Sequence, residues 1–230
     1  MSKMKNAIFA GLLLGAAHGM SMPALADDSN ITRGYNTMDA MGCMILRDCT
    51  DNVRQINNID DIRANFPDRS YDAIADEFDS LLGSLNTIGV KVFLAPEKYF
   101  PPSHRGVYHT VSNNFFLNEK YMHRQGTLMS VMRHEGWHAA QDCMAGTINN
   151  SMMAIILDEE KVPPMYQELV RRTYADTPHA IPWEKEAYWA GKTAGMTADA
   201  LKSCARGTMW TDYEPTPLTR KWLEEEGYIK

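Results

Sequence analysis

Between residues 70 and 85, SYDAIADEFDSLLGSL returns Tyr71, Ile74, Phe78, Leu81, Leu82 and Leu85 every three or four positions. That spacing predicts a helix with one face in a core. The pattern then changes. VKVFLA at 90–95 is a run of branched and aromatic residues, and 106–111 followed by 115–117 reads as one or two further strands. Residues 96–105 contain Pro96, Pro101 and Pro102 and are expected to form a loop. From about residue 126 onward helical spacing returns, in pieces near 126–144, 151–158, 163–175, 182–195, 197–206 and 217–226, while 52–65 carries a weaker helical pattern. A helix, a small sheet and then mainly helices predict an α+β fold, with residues 27–230 forming one domain.

In the longest helix, Leu128, Met129, Met132, Gly136, Ala139, Ala140 and Cys143 gather into one stripe. His134, Glu135, His138, Val131 and Asp142 fall on the opposite half. Such a helix would lean on a core and offer its polar residues to a groove. Two histidines four apart project from the same side, one turn from each other, so both imidazoles can reach one metal ion. Glu135 points into the same cleft, where it can take a proton from a water molecule. Asp142 is the first candidate to accept a hydrogen bond from a ligating imidazole, and Gln141 the second.

The sequence HEGWH with the downstream WEKEAYWA resembles the gluzincin branch of the zincin metallopeptidases, over roughly residues 88–195. The resemblance implies a zincin-like fold and a Zn2+ cofactor held by His134, His138 and a glutamate of the later helix. It also implies Glu135 as general base and hydrolysis of a peptide or protein substrate. In that family the later glutamate is followed three residues on by Ala and four on by Asp or Asn. This register selects Glu184, with Ala187 in place and Tyr188 where the acid would stand. The likeness further implies that a strand over 113–117 borders the cleft and pairs with an extended substrate.

Periodicity alone leaves the third ligand open, because Glu184 and Glu186 border the stripe of Trp183, Ala187, Ala190 and Ala194 on opposite sides. Glu184 shares its side with Gly191 and Gly195, which would let another helix approach, and is favoured over Glu186 beside Trp189. His179, Tyr188 and Tyr213 are candidates to donate a hydrogen bond to the transition state. His104, His109 and His123 are expected at the surface or in caps. The scattered 16 methionines read as core filler.

The chain opens MSKMKNAIFAGLLLGAAHGMSMPALADD, a basic start, an apolar run and an Ala-x-Ala end, which predicts a signal peptide cut after Ala26. Removing Lys3 and Lys5 from the 23 basic residues leaves 21 against 29 acidic ones, a net charge of about −8. That balance gives no footprint for nucleic acid. The apolar run is shorter than the roughly 20 residues of a membrane span, so no membrane anchor is expected after cleavage. Four cysteines in an exported chain predict two disulfides. Cys43 with Cys49, close in the chain, and therefore Cys143 with Cys204, is the favoured pairing. The expectation is a secreted or periplasmic zinc peptidase, with a non-catalytic exported zinc-binding or structural protein as the alternative.

Overall fold

The computed structural model describes residues 37–230, so the leader assigned to 1–26 lies outside the described residues. Helices α1 (Thr37–Ile45), α2 (Ile59–Asn65) and α3 (Ala75–Thr87) precede or flank strands β1 (Arg54–Gln55), β2 (Lys91–Ala95), β3 (Gly106–His109) and β4 (Asn114–Asn118). Six more helices follow: α4 (Gln125–Met144), α5 (Pro164–Thr173), α6 (Ile181–Lys192), α7 (Met196–Arg206), α8 (Met209–Asp212) and α9 (Pro217–Glu225). The architecture is α+β, mainly helical with one small mixed sheet. Strand order is β1-β2-β4-β3, with β2 and β4 parallel and both outer pairs antiparallel.

Side chains alternate across the sheet, as the two-residue period of a strand requires. Val92, Leu94, Tyr108, Phe115 and Leu117 join the main core with α2, α3, α4, α6 and α7. Phe93, Ala95, Val107 and Phe116 face the other way, against Met41 and Met44 of α1. Because both faces are covered, VKVFLA shows an apolar run instead of an alternation.

Four expectations change at this level. Residues 52–65 are not one helix: Arg54 and Gln55 pair with Leu94 and Phe93, and helix α2 starts only after Asn58, whose side chain accepts the Asp60 N–H at 2.9 Å. Residues 151–158 carry no helix. Their backbone donors are captured by other elements, Ala154 N by the Gln141 carbonyl at 2.9 Å and Ile156 and Leu157 N by the Glu186 carboxylate. Helix α4 is buried on nearly every side, including Val131, Glu135, Trp137, His138 and Asp142, so it is a central helix more than a two-faced one. Finally, β4 lies between β2 and β3, and its backbone has no open edge for an added strand; the edge strands are β1 and β3, and β3 is the one beside α4. Sequence spacing cannot reveal that order, since a hairpin can fold back on either side.

The disulfides join Cys43 to Cys49 and Cys143 to Cys204, as favoured from the sequence. The second ties the C-terminal turn of α4 to that of α7. Two disulfides are consistent with an extracellular or periplasmic protein. Among the described residues no helix is long and apolar enough to cross a membrane.

Candidate metal centre

His134 and His138 lie one turn apart on α4, with ring centroids 4.9 Å apart and planes at 87°. Helix α6 crosses α4 at Gly191, where a Cβ would meet the Ser130 carbonyl oxygen at 3.0 Å and His134 Cβ at 3.2 Å. A glycine there lets the two backbones come close enough for Glu184 to reach the imidazoles. Gly195 does not share this task. It lies past the end of α6, at φ 84°, with nothing within 4 Å of a Cβ, and it precedes α7.

Glu184 Oε2 is 3.3 Å from His134 Nε2, and Glu184 Oε1 is 3.4 Å from His138 Nε2. One ligand atom from each of the three residues lies within 4.8 Å of the others. These separations exceed those of a charged N–H···O bond, about 2.7–2.9 Å. The two contacts run to different Glu184 oxygens, so the carboxylate faces both imidazoles at once, as a group sharing one cation with them would. Glu184 Oε2 is also buried without a hydrogen-bond partner, in a residue only 5 % exposed. A buried, unsatisfied carboxylate oxygen facing two imidazoles suits a cation, so the donor set fits a metal ion.

The electrostatics of the cluster are coupled. Burial alone would raise the Glu184 carboxyl, but the His138 and His134 imidazoles hold it well below its ordinary value. Burial alone would lower His138, yet the facing Glu184 carboxylate, with Glu135 and Gln141, raises it to about 9.

Glu186, the rival on the same helix, points elsewhere. Its Oε2 accepts from Trp137 Nε1 at 3.0 Å, Gln141 Nε2 at 2.8 Å and Ile156 N at 3.2 Å, and its Oε1 accepts from Leu157 N at 2.5 Å. The partner of His138 also differs from the first candidate. Its Nδ1 lies 2.8 Å from Gln141 Oε1, whereas Asp142 accepts the Tyr108 hydroxyl at 2.8 Å. Asp142 is fully buried with Oδ1 unpartnered, and burial raises it to about 8 against the pull of the Tyr108 hydrogen bond. Gln141 stands three residues beyond His138, a helical neighbour position that the sequence does contain as a signal. Tyr188, where the family pattern has an acid, packs edge-on against the His134 ring at 5.1 Å and 82°.

Glu135 is buried beside the histidines, and its Oε2 accepts the Tyr108 N–H of edge strand β3 at 3.0 Å. Burial raises its carboxyl against the downward pull of His134 and His138. Gly106 on β3 leaves room for this carboxylate, since a Cβ there would meet Val131 Cγ1 at 2.6 Å and Glu135 Cγ at 3.2 Å. A cleft of about 470 Å³ opens over His134 and Glu135 and is also lined by Arg105, Leu169, Tyr174 and Tyr188. Of the three donors considered from sequence, only Tyr188 lines it; His179 and Tyr213 do not. Tyr174, which sequence reasoning missed, does. It follows the last turn of α5, its hydroxyl is buried without a hydrogen-bond partner, and burial and then the Glu184 charge raise its pKa. Nothing in the local sequence marks Tyr174, because its place depends on how α5 packs on α6. His104 and His109, expected at the surface, are buried; His104 lines the cleft and His109 Nδ1 lies 2.7 Å from Ser112 Oγ.

Comparison of the chain with protein families, curated proteins and solved structures finds no match.

Proposed function

We propose that this chain is an exported, zinc-dependent peptidase of zincin-like architecture and gluzincin type, with an extended peptide or protein as substrate. The observation that carries the reading is the meeting of His134, His138 and Glu184, with ligand atoms within 4.8 Å of one another, beside the buried Glu135. His134 Nε2, His138 Nε2 and a Glu184 oxygen would hold the ion, and an N2O set with room for a further ligand suits Zn2+. When bound, zinc supplies a Lewis acid that polarises a carbonyl group and acidifies water.

The chain's own groups do the rest. Glu135 accepts a proton from the attacking water on its carboxylate and returns it to the leaving amine nitrogen. Tyr188 and Tyr174 offer hydroxyl donors to the carbonyl oxygen as it gains charge; both line the cleft, which supports the role. Peptide backbone pairs with β3, not β4, because β3 is the edge strand whose start at Gly106 lines the cleft.

The test is zinc per chain in purified protein, wild type beside His138→Ala, followed by a peptide-library digest with and without chelator. The expected results are one zinc in the wild type, less in the variant, and chelator-sensitive cleavage. Glu135→Gln should keep zinc and slow cleavage roughly 10²–10⁴-fold. A wild-type chain with no stoichiometric zinc sinks the proposal; stoichiometric zinc with no cleavage of any library peptide leaves the non-catalytic zinc-binding alternative.

A further inference from the structure

Glu186 is a fully buried carboxylate outside the ligand set, and it sits at the end of a hydrogen-bonded chain that leads to a ligand. We propose that Gln141 and Glu186 act as a positioning relay, which fixes the His138 imidazole for metal binding and couples metal affinity to the order of the segment at 154–157. The inference rests on the metal-centre reading above.

The direction of the relay follows from donor and acceptor inventory. A histidine that binds metal through Nε2 must carry its proton on Nδ1, and that N–H needs an acceptor. Gln141 Oε1, 2.8 Å away, is that acceptor. Its amide cannot turn over, because Gln141 Nε2 donates to Glu186 Oε2 at 2.8 Å and to the Trp183 carbonyl at 3.1 Å. A flipped amide would set its NH2 against the Nδ1–H and its oxygen against a carboxylate and a carbonyl. Glu186 thus dictates the amide, the amide dictates the tautomer, and the tautomer leaves Nε2 free towards Glu184. Burial makes the ordering strict, since Gln141 is 0 % and Glu186 1 % exposed and no water competes.

The far end of the relay is backbone. Glu186 accepts from Ile156 N and Leu157 N, in a segment with no helix or strand of its own. When that segment opens, Glu186 loses two of its four donors and the restraint on Gln141 weakens. Linkage is reciprocal, so whatever opening costs in metal affinity, metal binding returns as protection of those two amides.

The experiment combines three readouts on the full chain: zinc affinity by competition with a chromophoric chelator, hydrogen exchange at the Ile156 and Leu157 amides with and without zinc, and the His138 ring N–H resonance of the zinc form. Gln141→Met should weaken zinc binding about 10–100-fold. It should also broaden the Nδ1–H signal and abolish the zinc-induced protection at 156 and 157. Gln141→Glu, which keeps an oxygen acceptor for Nδ1–H but sets its other oxygen against the Glu186 carboxylate and the Trp183 carbonyl, should recover affinity only in part. Zinc affinity in folded Gln141→Met within twofold of wild type, or undiminished zinc-induced protection in that variant, overturns the relay alone. A wild-type chain without zinc overturns the metal centre and the relay together.

Discussion

Glu184 and Glu186 stand two residues apart on one helix, both almost fully buried, and they serve opposite ends. On the Glu184 side of α6, a carboxylate oxygen with no hydrogen-bond partner faces two imidazoles. On the Glu186 side, four N–H donors saturate the carboxylate and bind α4, α6 and the segment at 156–157 into one scaffold. Burial is the same in both cases; satisfaction is not. A buried acid whose oxygens are all used is held by its surroundings, whereas one left incomplete beside other ligands invites a cation.

The strongest way to break this contrast is to delete each acid in turn. Glu186→Ala orphans the Trp137 indole, the Gln141 amide and two backbone N–H groups. At about 1–3 kcal/mol for each buried unsatisfied donor, a loss of roughly 4 kcal/mol or more is expected, read by urea unfolding of the metal-free chain. Glu184→Ala should cost the metal-free chain much less and instead remove stoichiometric zinc. Equal destabilisation by the two variants would erase the distinction. The scaffold side also carries the Cys143–Cys204 bridge, which closes 61 residues where Cys43–Cys49 closes 6. Chain entropy then predicts losses of about 4 and about 2 kcal/mol when the two bridges are removed by Cys→Ser pairs.

Two glycines sharpen the contrast further. Gly191 and Gly136 each hold α4 close to a neighbour, Gly136 with Thr197 Cγ2 2.9 Å from a Cβ position. Ala at either position should cost about 1–3 kcal/mol by overpacking. Only Gly191→Ala, which forces α6 away from His134, should also weaken zinc binding in a chelator competition. A contrast that depends on pH is expected at Asp142. Its folded pKa of about 8 lies above the ordinary aspartate value, so the folded state binds a proton that the unfolded state releases. The Asp142 contribution to stability should therefore be full below about pH 4 and be lost as pH rises through about 8. Asp142→Asn should remove that loss: thermal melts should match wild type near pH 4 and exceed it at pH 9. Zinc affinity of the variant should equal that of wild type at each pH, because the His138 partner is Gln141.

Much of the fold was readable from spacing. Helices α3, α6 and α7 follow three-and-four repeats because each must bury a stripe, and the cysteine pairing follows from chain proximity. Residues 151–158 misled for a related reason: their apolar residues suggest a helix, but the backbone donors found stronger partners in Gln141 and Glu186. The leader expected over 1–26 lies outside the described residues.

By itself, the sequence determined that His134, Glu135 and His138 share one turn of helix, because a 3.6-residue period leaves little choice over four positions. Tertiary structure decided which glutamate joins them, which neighbour holds His138, that Tyr174 reaches the cleft and that β3, not β4, forms the sheet edge beside α4. Those outcomes depend on helix rotation, side-chain rotamer and strand order, which are set by contacts between residues distant in the chain and leave no periodic trace within either partner.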